Sequence, residues 1–160
     1  MRKPLLLIIT AAALLSTTAI AQEKVDMAAL TAAVETQRQM TEAQRQLVVS
    51  ENLVLNGDES EKFWPLYRQY RADVAIINDR LVALIARFAE NYAALGDDEA
   101  MALIKESQDI ESDRLKLSKK YAKNLNKFMA GQNVLRLMQI ESRLDAVIDL
   151  KLKNSIPLAH

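Results

Sequence analysis

Reactive side chains are few in this chain, and their spacing does not suit catalysis. The only histidine is the last residue, His160, and there is no cysteine. Asp109, Glu111 and Asp113 recur at every second position, so a helix would place them on different faces. The sequence has no glycine-rich phosphate loop and no spaced set of histidine or cysteine ligands. We therefore expect a protein that is not an enzyme and that needs no cofactor.

The methionines offer the remaining soft ligands for a metal ion. They are scattered along the chain as Met1, Met27, Met40, Met101, Met129 and Met138. Methionine is also a common filler of hydrophobic cores, and dispersed methionines are typical of that use. The pattern favours no metal site, and a metal sensor stays only as an alternative interpretation.

A group of lysines could bind another polypeptide by charge. They recur every three or four residues, beside Tyr121 and Phe128. The lysines are Lys116, Lys119, Lys120, Lys123 and Lys127. On a helix this spacing gives one basic stripe, which is either an ordinary solvated face or a surface that attracts unfolded chains through weak, unspecific contacts.

The stretch EKFWPLYRQYR, residues 61–71, contains the only tryptophan of the chain together with one phenylalanine and two tyrosines. Pro65 would lie about seven residues after a helix start near Asp58, where its ring frees a backbone carbonyl. The helix is therefore predicted to kink, or to form loosely, between 58 and 64. An aromatic group at such a bend could dock a nonpolar partner or could pack within the same chain. The candidate partner-binding residues here are Phe63, Trp64, Tyr67 and Tyr70.

The elements that would position these groups are helices. The chain contains only 3 glycines and 3 prolines, and 5% of its residues are aromatic, a composition that disfavours strands and turns. Helix breaks are predicted at 56–58, 96–98 and 131–133, each with a glycine suited to a left-handed helix end. In the first two an aspartate follows, suited to capping the next helix. The sequence predicts an all-α fold of four helices in elongated antiparallel hairpins or a bundle.

The second predicted helix carries ten apolar or aromatic residues at alternating spacings of four and three. They are Phe63, Tyr67, Tyr70, Val74, Ile77, Leu81, Leu84, Phe88, Tyr92 and Leu95. This seam of period 3.5 predicts an antiparallel pairing with the third helix, at about 98–129. Ser107 and Arg114 interrupt the apolar face of that third helix, so we expect them to leave surface for a second subunit in a homodimer.

The first residues are typical of an export signal. A basic start, an apolar run and the small residues of Ala19-Ile20-Ala21 predict a cleavable signal peptide over 1–21 and a single helical domain over 22–160. Loss of Arg2 and Lys3 leaves 19 basic against 21 acidic side chains, a net charge of about −2. Since phosphate binding needs a basic excess, nucleic acid is not an expected partner. We expect a periplasmic protein with no membrane span after cleavage.

The first helical segment, about 25–55, contains the sequence Met40-Thr41-Glu42-Ala43-Gln44. Whether a helix runs through Thr41 or restarts there is left open by the residues. An exported, cysteine-free helical chain with this motif resembles the LTxxQ-motif family of small periplasmic proteins, the Spy/CpxP-like group, with Met in place of Leu. The resemblance implies a curved antiparallel dimer of helical hairpins. It also implies either an ATP-independent chaperone of envelope stress or a regulator that binds an envelope sensor kinase.

Overall fold

The computed structural model describes residues 42–159, and this part of the chain is all-α, as predicted. Its four helices are α1 (Glu42–Asn52), α2 (Gly57–Asn91), α3 (Asp97–Leu125) and α4 (Gly131–Ser155). One turn of 3-10 helix, Tyr92–Ala94, follows α2. The predicted signal peptide, Met40, Thr41 and His160 lie outside the described residues.

All three predicted breaks separate helices, but the glycines do not end them. Asn56 caps α2: its side chain accepts a bond from the Glu59 amide (2.9 Å), and the Glu59 carboxylate accepts one from the Asn56 amide (3.1 Å). Gly57 is therefore the first residue of α2, and no glycine of the described range has a positive φ. The predicted left-handed helix ends and the predicted caps at Asp58 and Asp97 are wrong, because Asn56 and Gly96 are the N-cap residues of α2 and α3. The physical reason is that the chain leaves α2 through the 3-10 turn and an extended Leu95, which needs no left-handed residue.

Helix α2 runs without interruption through Pro65, so the predicted loosening between 58 and 64 is wrong. The capping box holds the first turn, and Phe63 and Tyr67 on either side of the proline are fully buried. Pro65 itself is exposed, so its ring meets solvent. Packing on both sides of the proline therefore offsets the hydrogen bond that its missing N–H removes.

Helices α2 and α3 form the predicted antiparallel hairpin. Each residue of the seam is buried or half-buried. Residues later in α2 contact residues earlier in α3, as antiparallel helices require. The ring of Tyr70 stacks on Tyr121 at 4.2 Å, and the Arg80 guanidinium lies 2.8 Å from the Asp113 carboxylate. Further along, Arg87 contacts Glu106 at 3.0 Å.

The short helix α1 covers only one end of this hairpin. It runs antiparallel to α2 and to α4, whereas α4 runs antiparallel to α3. A four-helix end is therefore built around one core cluster, and its fully buried members are Val49, Phe63, Tyr67, Leu125 and Leu137. The other end holds only α2, α3 and α4, around the smaller clusters of Ile77, Leu84, Leu103 and Ile110 and of Ile85 and Leu152.

Candidate functional site

Three of the four aromatic residues predicted to bind a partner lie in the core. Phe63 and Tyr67 are fully buried with stacked rings 5.4 Å apart, and Tyr70 is 7% exposed. In the described structure these three have almost no surface to offer a partner. Their seam faces the inside of the bundle because α1, α3 and α4 all close over the first half of α2.

Trp64 is the member of the group that keeps exposed surface. It is half-buried, and its indole meets Phe63 edge-on at 4.9 Å and Tyr67 edge-on at 5.9 Å. The ring is therefore anchored at the rim of the core and does not project from a loosened bend. Since α2 and α3 are antiparallel, Trp64 lies at the same end of the hairpin as the last lysines of α3.

A buried ionic cluster, which sequence reasoning missed, joins α1, α2 and α4. Glu141, only 3% exposed, accepts bonds from the Tyr67 hydroxyl (2.6 Å), Arg45 (3.0 Å) and Arg71 (3.1 Å). A usable signal was present: Arg45 lies four residues before Val49 and Glu141 four residues after Leu137. Each charged side chain therefore occupies an apolar-face position of its helix, where a charge needs a partner.

Two further carboxylates complete the cluster at its edges. Asp145 accepts a bond of 2.6 Å from Arg45, and Glu42 receives Arg71 at 3.0 Å. Both buried arginines are therefore paired twice, with a carboxylate of the core and one nearer to solvent. This satisfies most of the hydrogen-bonding capacity that burial would otherwise leave unmet.

The environment keeps the arginine charged and the tyrosines neutral. Burial and the nearby charge of Glu141 raise the pKa of Tyr67 far above its usual range and raise the pKa of Tyr70 to about 12. Burial alone would lower the pKa of Arg71, but its bond to Glu42 and the charge of Glu141 raise it. None of these three groups changes protonation near neutral pH, and the bonds of Tyr67 and Arg71 to Glu141 hold α2 against α4.

Four lysines of the predicted stripe lie on the exposed face of α3, and the fifth, Lys127, lies in the turn that follows this helix. All five lysines are exposed. Lys116 contacts Asp113 at 3.1 Å and Lys127 donates to the Asn124 side chain at 2.9 Å. Within residues 42–159, no ion pair or hydrogen bond engages the side chains of Lys119, Lys120 and Lys123.

The acidic half of α3 differs, because arginines of α2 neutralise it. Arg80 contacts Asp113, and Arg87 contacts both Glu99 (2.8 Å) and Glu106 (3.0 Å). The bonds from Arg80 and Lys116 lower the pKa of Asp113. The two halves of α3 are thus unequal: intramolecular cations cover much of the acidic half, and the basic half remains open to solvent.

The predicted alternation of lysines and aromatic rings on this face is only partly present. Tyr121 is 3% exposed and stacks on Tyr70 inside the bundle, so its ring cannot contribute to the lysine surface. Phe128 is half-buried at the end of the stripe. A helix that points Lys120 and Lys123 outward must turn Tyr121 inward, which explains the difference.

The two polar interruptions of α3 line an open cleft. A cavity of about 570 Å³ lies between α2, α3 and α4 at the three-helix end, and its walls are mostly apolar, with Ser107 and Arg114 among them. Arg114 donates to the Asn78 side chain at 2.8 Å and lies 4.0 Å from Asp149. That a second subunit covers this region stays a prediction.

Neither a metal centre nor a membrane span was found in the described range. Residues 42–159 contain no cluster of three or more histidine, cysteine or acidic side chains placed to hold a metal ion. No helix in that range combines the length and the apolar character needed to cross a bilayer.

No protein-family model matches this chain, and comparison with curated proteins and with solved structures found no significant match. The resemblance to the LTxxQ-motif family therefore stays a prediction, and the function has to be argued from the surface.

Proposed function

We propose that this protein is an exported, non-catalytic periplasmic chaperone that holds non-native polypeptides without ATP, through the lysine surface of α3. The lysine surface consists of Lys116, Lys119, Lys120, Lys123 and Lys127. Residues 1–21 support export, because they have the charge, length and small-residue ending of a cleavable signal.

One observation supports this function above the others: three lysines of this surface have no partner within the described residues, whereas arginines of α2 pair with several carboxylates of the acidic half of α3. Arginines of α2 engage Glu99, Glu106 and Asp113, yet no carboxylate of residues 42–159 engages Lys119, Lys120 or Lys123. A concentrated set of exposed cations accelerates the encounter with acidic chains through long-range attraction. Flexible lysines give weak and geometrically undemanding contacts, which suit capture of many sequences.

The fold suits a holding role because its binding surface is built on a rigid helix. Tyr121 and Leu125 of α3 are buried in the four-helix core, which fixes the orientation of the lysines between and beside them. Trp64 and Phe128, both half-buried, lie at the same end and add apolar surface for segments that are already held by charge.

A homodimer is part of the proposed function. Large apolar side chains are exposed on α3 and α4, among them Met101, Ile104 and Leu150. Ile104 lines the 570 Å³ cleft, and the other two are close in sequence to residues that line it. A second subunit would cover such residues and place two lysine surfaces in one particle. Sedimentation at micromolar concentration is expected to show a dimer, and a protein that sediments only as a monomer would refute the homodimer.

The test is aggregation of an acidic client protein, followed by light scattering with no nucleotide present. The wild-type protein is expected to suppress scattering at low salt and to lose much of this effect above physiological ionic strength, where the Debye length falls below about 8 Å. Changing Lys116, Lys120, Lys123 and Lys127 to Gln is expected to slow capture in the same way.

The matched control changes the four lysines of the described range that lie outside the lysine surface to Gln: Lys62, Lys105, Lys151 and Lys153. It alters the net charge by the same amount, so it separates a local surface from a general charge effect. We expect the control variant to protect the client as wild type does and the variant of the lysine surface to lose this protection. Equal protection by wild type and both variants would overturn the role of the lysine surface, and no protection by any of them would overturn the chaperone function.

A further inference from the structure

The groove occupied by α1 has the features of a peptide-binding site. The described part of helix α1 has 11 residues, and an isolated helix shorter than about 12–15 residues is marginal in water. It is held by the surface of α2 and α4 beneath it, and a connection of four residues, 53–56, joins it to α2. Contacts with the groove therefore provide most of the stability of the α1 helix.

Recognition in the groove has three parts. At one end, Glu141 and Asp145 receive the Arg45 guanidinium at 3.0 and 2.6 Å. In the middle, Val49 and Leu53 belong to the core cluster that contains Phe63, Tyr67 and Leu137. At the other end, Arg136 donates to the Asn52 carbonyl at 2.5 Å and Asn133 donates to the Val54 carbonyl at 3.3 Å.

These parts specify a ligand chemistry rather than one sequence. Arg136 and Asn133 donate to backbone carbonyls at the end of α1, and every helix exposes such carbonyls at its C-terminus, so these two donors do not depend on the occupant's side chains. The apolar floor accepts aliphatic side chains spaced by four residues, as Val49 and Leu53 are. Only the acidic end is selective. Glu141 keeps its bonds from Arg71 and Tyr67 of α2, but within the described residues the half-buried Asp145 has no cation other than Arg45, so an occupant with a positively charged donor at this end is favoured.

We infer that the α1 groove is a second binding site, for amphipathic helical segments of other proteins that carry an arginine followed at four and eight residues by apolar side chains. Such a segment displaces α1 and takes its contacts. The inference rests on the proposed function, because it names a class of client segment. It also gives Phe63 and Tyr67 a place at a binding surface, one that is covered while α1 is in the groove.

The test uses a fluorescent peptide of residues 42–55 as the probe and measures anisotropy with the full chain. Val49→Ala weakens α1 but leaves the groove unchanged, so the probe is expected to bind this variant at least about tenfold more tightly than wild type. A probe with Arg45→Gln is expected to lose at least about tenfold in affinity. Leu47→Ala, on the exposed side of α1, is the control and should behave as wild type.

Circular dichroism checks that each variant is folded, and Arg45→Lys in the protein replaces Val49→Ala if that variant is not. The inference would be overturned if the probe bound wild type and the Val49→Ala variant with equal affinity. It would also be overturned if the Arg45→Gln probe bound as tightly as the original probe. If the protein protects an aggregating client but does not bind the probe, the groove is not a binding site and the proposed function stands. If the protein binds the probe but gives no protection, the groove is a binding site and the proposed chaperone function is overturned.

Discussion

At the residue scale, the main lesson concerns polar groups in the core. Tyr67 donates to the Glu141 carboxylate at 2.6 Å, whereas the hydroxyl of Tyr121 is buried with no hydrogen-bond partner in the described structure. The seam predicted both helix pairing and burial of Tyr67, but it could not predict the cluster beneath it. Ion pairing across three helices depends on contacts some 70 to 100 residues apart in sequence, which local periodicity does not encode.

The two tyrosines give a paired prediction. Tyr67→Phe is expected to lower the free energy of unfolding by about 1.5–3 kcal/mol, because it removes a bond to a buried charged group. Tyr121→Phe is expected to leave it unchanged or to raise it, because the lost hydroxyl had no partner. Urea unfolding followed by circular dichroism measures both, and a larger loss for Tyr121→Phe would contradict the hydrogen bonding described here.

The raised phenol pKa values predict a loss of stability at high pH. Burial, with the charge of Glu141, raises the pKa of Tyr70 from 10.0 to about 12 and raises those of Tyr67 and Tyr121 further. The folded state thus keeps protons that the unfolded state releases near pH 10. Their contribution is fully present below pH 10. The contribution of Tyr70 is lost as the pH rises through 12, and those of Tyr67 and Tyr121 are lost at higher pH. Urea midpoints between pH 8 and 12 should stay level and then fall. In a Tyr92→Phe variant, which leaves only Tyr67, Tyr70 and Tyr121, tyrosinate absorbance should appear mainly on unfolding, and ionisation of the folded variant near pH 10 would count against burial of these three phenols.

At the element scale, sequence pattern predicted the helices better than their ends. The three breaks and the seam of α2 follow from composition and periodicity, so they were predictable. The cap at Asn56 was missed although Asn56 and Glu59 have the local spacing of a capping box. The uninterrupted helix around Pro65 was not predictable, because it depends on the packing of Phe63 and Tyr67, which overrides a local rule. The same packing explains the aromatic cluster: it faces inward, and only the rim of Trp64 remains exposed.

Pro65 gives the prediction at this scale. Pro65→Ala is expected to raise the free energy of unfolding by about 1 kcal/mol or more, since the exposed ring is replaced by a good helix former whose N–H can bond to the Glu61 carbonyl. Ala72→Pro, at an exposed position seven residues further along α2, is the reverse control and is expected to cost about 3 kcal/mol. Thermal unfolding compares the two, and a destabilised Pro65→Ala would mean that the ring stabilises a required bend.

At the scale of the whole molecule, the chain combines a well-packed four-helix end with an open three-helix end. The lysine surface runs along the half of α3 that belongs to the packed end, so binding there needs no unfolding of the core. Binding in the α1 groove does require a local opening, because α1 covers Phe63 and Tyr67. We therefore expect charged capture on the lysine surface to be fast and weak, and insertion into the groove to be slower and more selective.

The most direct test of the central claim is to find where a client touches α3. Because the chain has no cysteine, a photo-crosslinker can be attached at a single cysteine introduced as Lys119→Cys in the lysine surface or as Lys105→Cys in the acidic half of the same helix. Both positions are exposed and both changes remove one lysine. The account predicts crosslinking of a non-native client several-fold more from position 119 than from position 105, with the difference disappearing at high salt. Equal yields from the two positions, or a yield at 119 that salt does not change, would contradict it.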